Sequence, residues 1–194
     1  MPKAKKVVQI KENIWNIPNT LTAIRIILTF VTLYFIFARF PIIYVVIAFS
    51  VGMFTDFLDG QIARRFKMET EFGRKFDILA DRFLMLSTVI GLLFVSATME
   101  YLSKFHVLQI FLMLSREIIT APVFIIAYLA KQPLVHARYI GKVTTFLQAF
   151  AFPSILLSID YHYFSYAPYL SIFTCVIGIF SAIEYIKDVK RDSQ

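Results

Sequence analysis

The sequence predicts an all-α protein embedded in a membrane, and three observations carry that prediction. Hydrophobic residues make up 58% of the 194 and charged residues only 17%, against roughly 45–50% and about 25% in ordinary soluble domains. The apolar residues gather in blocks, each near the roughly 20 residues a helix needs to cross a bilayer. Within the blocks apolar and polar positions do not alternate, so helices rather than a closed barrel must satisfy the backbone in lipid. The length fits a single domain over residues 1–194.

Residues 1–18 read as a cytosolic juxtamembrane arm carrying Lys3, Lys5, Lys6 and Lys11, with Trp15 close to the first span. The segment Val8–Trp15 fits a short N-terminal interfacial helix. Pro18 suits a helix start, with Asn19 and Thr20 near its first turn. Six transmembrane helices follow, at Leu21–Ala38, Ile42–Gly60, Phe76–Ser96, Val107–Ala130, Tyr139–Ile159 and Tyr166–Ile186. The most polar break, Ala63–Lys75, separates the second from the third. Pro122 and Pro153 predict kinks in the fourth and fifth. Tyr161, Tyr163 and Tyr166 fit an outer aromatic belt, and the 21 phenylalanines face lipid or pack between helices.

The net charge is +7. In a membrane protein this points to anionic lipids and phosphate-bearing substrates, not to nucleic acid. Fifteen of the lysines and arginines fall on the side of the termini and the polar second loop, and only Arg39 and Lys104 on the other. Both termini and that loop are therefore expected in the cytosol. Arg25, Arg82 and Arg116 fall within spans or at their edges. The lone Cys175 allows no intramolecular disulfide. The first apolar run begins late, near Leu21, with no small-residue cleavage site after it, so no cleavable signal peptide is expected.

Asp56, Asp59, Asp77 and Asp81 stand in or beside the second and third spans. Ionised carboxylates there cost kilocalories unless something compensates them, so they are functional by default. Spacings of three and four put Asp56, Asp59, Gly60, Ala63 and Arg64 on one stripe of the second helix, and Asp77 and Asp81 on one stripe of the third. A short loop makes these helices antiparallel neighbours whose stripes face each other. Four facing carboxylates can all stay ionised if divalent cations sit between them, and hard oxygen ligands suit Mg²⁺ or Mn²⁺. Two such ions, about 4 Å apart, would clamp a pyrophosphate. Gly60, Ala63 and Gly73 are small enough to leave room for a base or a ribose, and Arg64 suits phosphate oxygens.

The pattern Asp56-x-x-Asp59-Gly60-x-x-Ala63-Arg64, eight residues, Gly73-x-x-x-Asp77-x-x-x-Asp81 resembles the signature of the CDP-alcohol phosphatidyltransferases. Eight specified residues match across 26 positions. The opening, Asn16-Ile-Pro-Asn19-Thr20-Leu-Thr22-Ala-Ile-Arg25, resembles that of the phosphatidylglycerophosphate synthase and single-signature cardiolipin synthase branches. Ser115-Arg116-Glu117 and Gly141-Lys142 resemble motifs in their fourth and fifth spans. The resemblance implies six transmembrane helices, usually in a homodimer, and two divalent ions held by Asp56, Asp59, Asp77 and Asp81. It implies that Asp81 is also the general base. Gly60, Ala63 and Gly73 would contact the cytidine nucleotide, Arg64 its pyrophosphate, and Asn19 and Thr22 would also reach the nucleotide. The donor would be CDP-diacylglycerol, the acceptor an alcohol and the leaving product CMP. The site would lie on the cytosolic side of a bacterial cell membrane.

Arg116 and Lys142, near cytosolic ends of spans, suit an anionic acceptor, which favours glycerol 3-phosphate. Phosphatidylglycerol, giving cardiolipin, is the nearest alternative, and inositol phosphate a further one. The third span reads Asp77-Ile78-Leu79-Ala80-Asp81-Arg82, where those branches usually have Asp-Pro-x-Ala-Asp-Lys, and this bears on the acceptor. Bland readings compete at single positions: Arg116 pairing with Glu117, or Lys142 snorkelling to headgroups. His106, His136 and His162 lack metal-ligand spacing. A small cation or proton transporter is the reading from another class. The acids cluster toward one membrane face, and no inverted repeat is visible.

Overall fold

The computed structural model describes residues 16–66, 68, 70–99, 102–129, 139–161 and 164–192. The described chain is helical throughout: α1 (Ile17–Phe37), α2 (Ile42–Phe66), α3 (Glu71–Met99), α4 (Lys104–Met113), α5 (Ser115–Leu129), α6 (Tyr139–Asp160) and α7 (Ala167–Asp192). Among the described residues five helices are long and apolar enough to cross a membrane, and six if α4 and the first part of α5, bent by 49° at their junction, count as one span. The expected integral-membrane, all-α class is what is found. The interfacial helix expected at Val8–Trp15 lies outside the described residues, as do Lys131, His136, Arg138, His162 and Tyr163.

The start of α1 is set by Asn16, whose side chain accepts the backbone N–H of Asn19 at 2.9 Å, with Pro18 following in the first turn. Helices α2 and α3 outrun the spans read from hydropathy. One reaches Phe66, past Gly60, and the other begins at Glu71, ahead of Phe76. Apolarity marks where hydrocarbon ends, whereas the helical hydrogen-bond ladder continues through the charged residues beyond it.

The fourth span bends at Leu114, ahead of Pro122. Pro122 and Pro153 sit inside continuous helices. At the bend the side chain of Gln148 on α6 donates to the Met113 carbonyl at 3.1 Å. A side chain inserted at the backbone ladder is a recognised cause of a kink.

Two groups of helices make the bundle. Helix α1 packs along both α2 and α3, and α7 packs against α4, α5 and α6. The groups meet where α2 lies on α6, with the rings of Phe49 and Phe152 at 4.6 Å and both side chains fully buried. Phenylalanines such as Phe30, Phe54, Phe94 and Phe180 project outward, the arrangement a lipid-facing surface requires.

Candidate active site

The signature aspartates come together, but not in the way a two-helix reading expects. Helix α1 packs extensively on both α2 and α3, whereas α2 and α3 touch each other over a much smaller area. The acidic stripes therefore do not simply face across a shared interface. They converge at the polar end of the three helices, where Asp56, Asp59 and Asp77 each bring one carboxylate oxygen within 4.8 Å of the others. Three hard oxygen donors at that spacing suit a divalent cation. Asp59 is the shielded member, with a side chain 4% exposed, while Asp56 at 30% and Asp77 at 39% open toward solvent. Asp81 stands one turn further along α3 and is not one of the three. It lies within electrostatic range of Asp77, Arg25, Arg82 and Glu117.

The residue that sequence reasoning missed is Arg25. It is fully buried on α1, and its guanidinium reaches all three carboxylates. Nη1 donates to Asp77 Oδ1 at 2.8 Å and lies 3.0 Å from Asp56 Oδ1, and Nη2 donates to Asp59 Oδ2. A counter-charge thus exists within the chain. The signal was available: an arginine inside an apolar helix needs a partner, and Thr22 and Arg25 share a face of α1. The Thr22 hydroxyl is 3.3 Å from Asp59 Oδ2 and 3.1 Å from the Pro18 carbonyl, so Thr22 sits beneath Asp59.

The two signature glycines differ in their surroundings. A Cβ at Gly60 would meet only the flexible end of Arg64, at 3.9 Å, so open space lies beside the helix there. At Gly73 that space is taken. A Cβ would collide with the carboxamide oxygen of Asn19 and lie 2.8 Å from the Thr70 hydroxyl. Gly73 thus lets Asn19 of α1 pack directly against the start of α3. The loop between α2 and α3 is tied to the same turn of α1, since Asn16 Nδ2 donates to the Met68 carbonyl at 3.2 Å. Ala63 is half-buried and Arg64 exposed on the last turns of α2.

A second polar cluster joins α5, α6 and α7. Arg116 Nη1 is 3.3 Å from Glu117 Oε1 and 3.5 Å from the Thr145 hydroxyl. Gln148 Nε2 donates to the other oxygen of Glu117 at 2.6 Å. Lys142 is exposed in the first turn of α6, on the same face as Thr145. Gly178 lets α7 approach, its ideal Cβ lying 3.2 Å from the Arg116 Cβ. Tyr185 of α7 feels the charges of both Arg82 and Arg116, and nothing in the sequence had singled it out.

Comparison with known proteins places the chain among phosphatidyltransferases. A family model described as CDP-alcohol phosphatidyltransferase matches residues 15–180. A CDP-diacylglycerol–glycerol-3-phosphate 3-phosphatidyltransferase of Salmonella paratyphi A is 32% identical over 183 residues, covering 92% of this chain and 97% of that protein. Proteins of the same description from Shigella flexneri and Escherichia coli are 31% and 30% identical, with the same coverage.

Proposed function

This chain belongs to the CDP-alcohol phosphatidyltransferase family, and from that premise we propose that it moves the phosphatidyl group of CDP-diacylglycerol to glycerol 3-phosphate and releases CMP. The observation that carries this reading is the convergence of Asp56, Asp59 and Asp77 within 4.8 Å, inside a signature the family shares. The acceptor rests on the description of the relatives and on the positive charge of Arg116 and Lys142.

In this reading Asp56, Asp59 and Asp77 hold the metal, with Asp81 completing the ligand set. When bound, two divalent ions, Mg²⁺ or Mn²⁺, would supply positive charge opposite the donor pyrophosphate. Gly60 and Ala63 give the cytidine nucleotide a helix surface to lie on, and the open space at Gly60 supports this. Asn19 and Thr22 on α1 and Gly73 on α3 line the adjoining part of the nucleotide site, and Arg64 reaches the pyrophosphate. Asp81 takes the proton from the acceptor hydroxyl. That oxygen bonds to the phosphorus bearing diacylglycerol, and the bond from this phosphorus to the CMP oxygen breaks. Arg116 and Lys142 hold the acceptor phosphate. The fifteen-to-two distribution of lysine and arginine supports a cytosolic site. Assembly as a homodimer belongs to the same reading and rests on the family resemblance alone.

The test offers purified protein CDP-diacylglycerol and Mg²⁺ with glycerol 3-phosphate, phosphatidylglycerol, inositol phosphate or serine in turn, and reads CMP release. Release with glycerol 3-phosphate is expected. Release with phosphatidylglycerol alone makes the chain a cardiolipin synthase.

A further inference from the structure

Arg25 is the one buried cation that contacts the acidic cluster among the described residues, and no part of the proposed reaction uses it. Its side chain has no solvent exposure. Burying a guanidinium costs several kilocalories unless its N–H groups and its charge are answered. Here the answer is specific. Nη1 takes Oδ1 of Asp56 and Oδ1 of Asp77, Nη2 takes Oδ2 of Asp59, and Nε has no hydrogen-bond partner. The planar fork spends its bonds on the acids alone and spans two helices, touching one oxygen of each carboxylate.

We propose that Arg25 is a positioning residue of the divalent-ion site: from α1 it bonds to the carboxylates of Asp56, Asp59 and Asp77 at once and so holds them at ligand spacing. The inference rests on the metal reading above. Three carboxylates brought within 4.8 Å repel one another, and a fixed positive charge bonded to all three opposes that repulsion before any cation arrives. Groups hydrogen-bonded to metal ligands orient them, and their loss typically costs 10- to 100-fold in metal affinity. The Thr22 hydroxyl, 3.3 Å from the Asp59 oxygen that Arg25 also holds, belongs to the same support.

The experiment measures Mn²⁺ binding to purified, chelator-stripped protein by the loss of free-ion EPR signal, with the melting temperature taken in metal-free buffer alongside. The expected result is Arg25→Gln binding Mn²⁺ about 10- to 100-fold more weakly than the wild type. Arg25→Lys should lose less, because a point charge replaces part of the fork. A merely structural ion pair would lower the melting temperature of Arg25→Gln and leave its Mn²⁺ dissociation constant in place, and that result overturns the proposal. Tighter binding also overturns it, and shows instead that the guanidinium competes with the cation. Should Arg25→Gln fail to fold, Arg25→Lys decides: an affinity equal to or above the wild type rejects the positioning role. A wild-type protein that takes up no Mn²⁺ overturns the metal reading itself, and this inference with it.

Discussion

Arg25 and Asp59 form an ion pair that is almost wholly shielded from solvent, with side-chain exposures of 0% and 4%. The same guanidinium reaches Asp77, whose side chain is 39% exposed. Two signature aspartates with one partner thus sit in different dielectric surroundings, and their substitution has different consequences.

Asp59→Asn leaves part of a buried arginine uncompensated and should cost about 3 kcal/mol of stability. Asp77→Asn removes a half-open pair and should cost about 1 kcal/mol or less. Melting both variants in chelator checks this. Asp59→Asn should melt clearly lower, and equal melting would contradict the assigned burial.

The two glycines separate ligand room from packing. Gly60→Ala meets only the far end of Arg64, so its melting temperature should match the wild type while the KM for CDP-diacylglycerol rises about tenfold. Gly73→Ala drives a methyl into the Asn19 carboxamide and should cost about 1–3 kcal/mol of stability. A Gly60→Ala enzyme with unchanged donor kinetics would remove Gly60 from the nucleotide site.

Arg116→Ala should raise the KM for glycerol 3-phosphate and leave that for CDP-diacylglycerol nearly unchanged. A charge-assisted hydrogen bond of about 1.5–3 kcal/mol corresponds to a loss of roughly 10- to 150-fold in kcat/KM. Arg116→Lys should recover part of it. Unchanged acceptor kinetics would leave Arg116 as a structural partner of Glu117 and Thr145.

The orientation is checked at the α2–α3 loop. On a Cys175→Ser background, Met68→Cys in intact cells should resist an impermeant thiol reagent and react once the membrane is opened. Ready labelling in intact cells would place the site on the outer face.

Much of this was legible in the chain. The spans follow from apolar block length, and the signature spacing put its aspartates on helix stripes before any geometry was known. Three things were not legible. The bend at Leu114 coincides with neither proline; the contact found at it is a hydrogen bond from Gln148, distant in sequence. The contact that fills the space at Gly73 is likewise long-range, coming from Asn19 on α1. The place of α1 between α2 and α3 escaped because a short loop argues that sequential helices are neighbours without saying what else lies beside them. Arg25, an intramembrane charge, was the one available clue to that arrangement.

The account is tested most directly by product identity. Purified protein supplied with CDP-diacylglycerol, Mg²⁺ and labelled glycerol 3-phosphate should form phosphatidylglycerophosphate and CMP in equal amounts. Asp56→Asn should lower that rate on the order of 10³-fold. Label that never enters lipid, with cardiolipin forming when phosphatidylglycerol is supplied instead, would contradict the assigned acceptor. Undiminished turnover in Asp56→Asn, or in protein stripped of metal by excess EDTA, would contradict the aspartate cluster as the site of transfer.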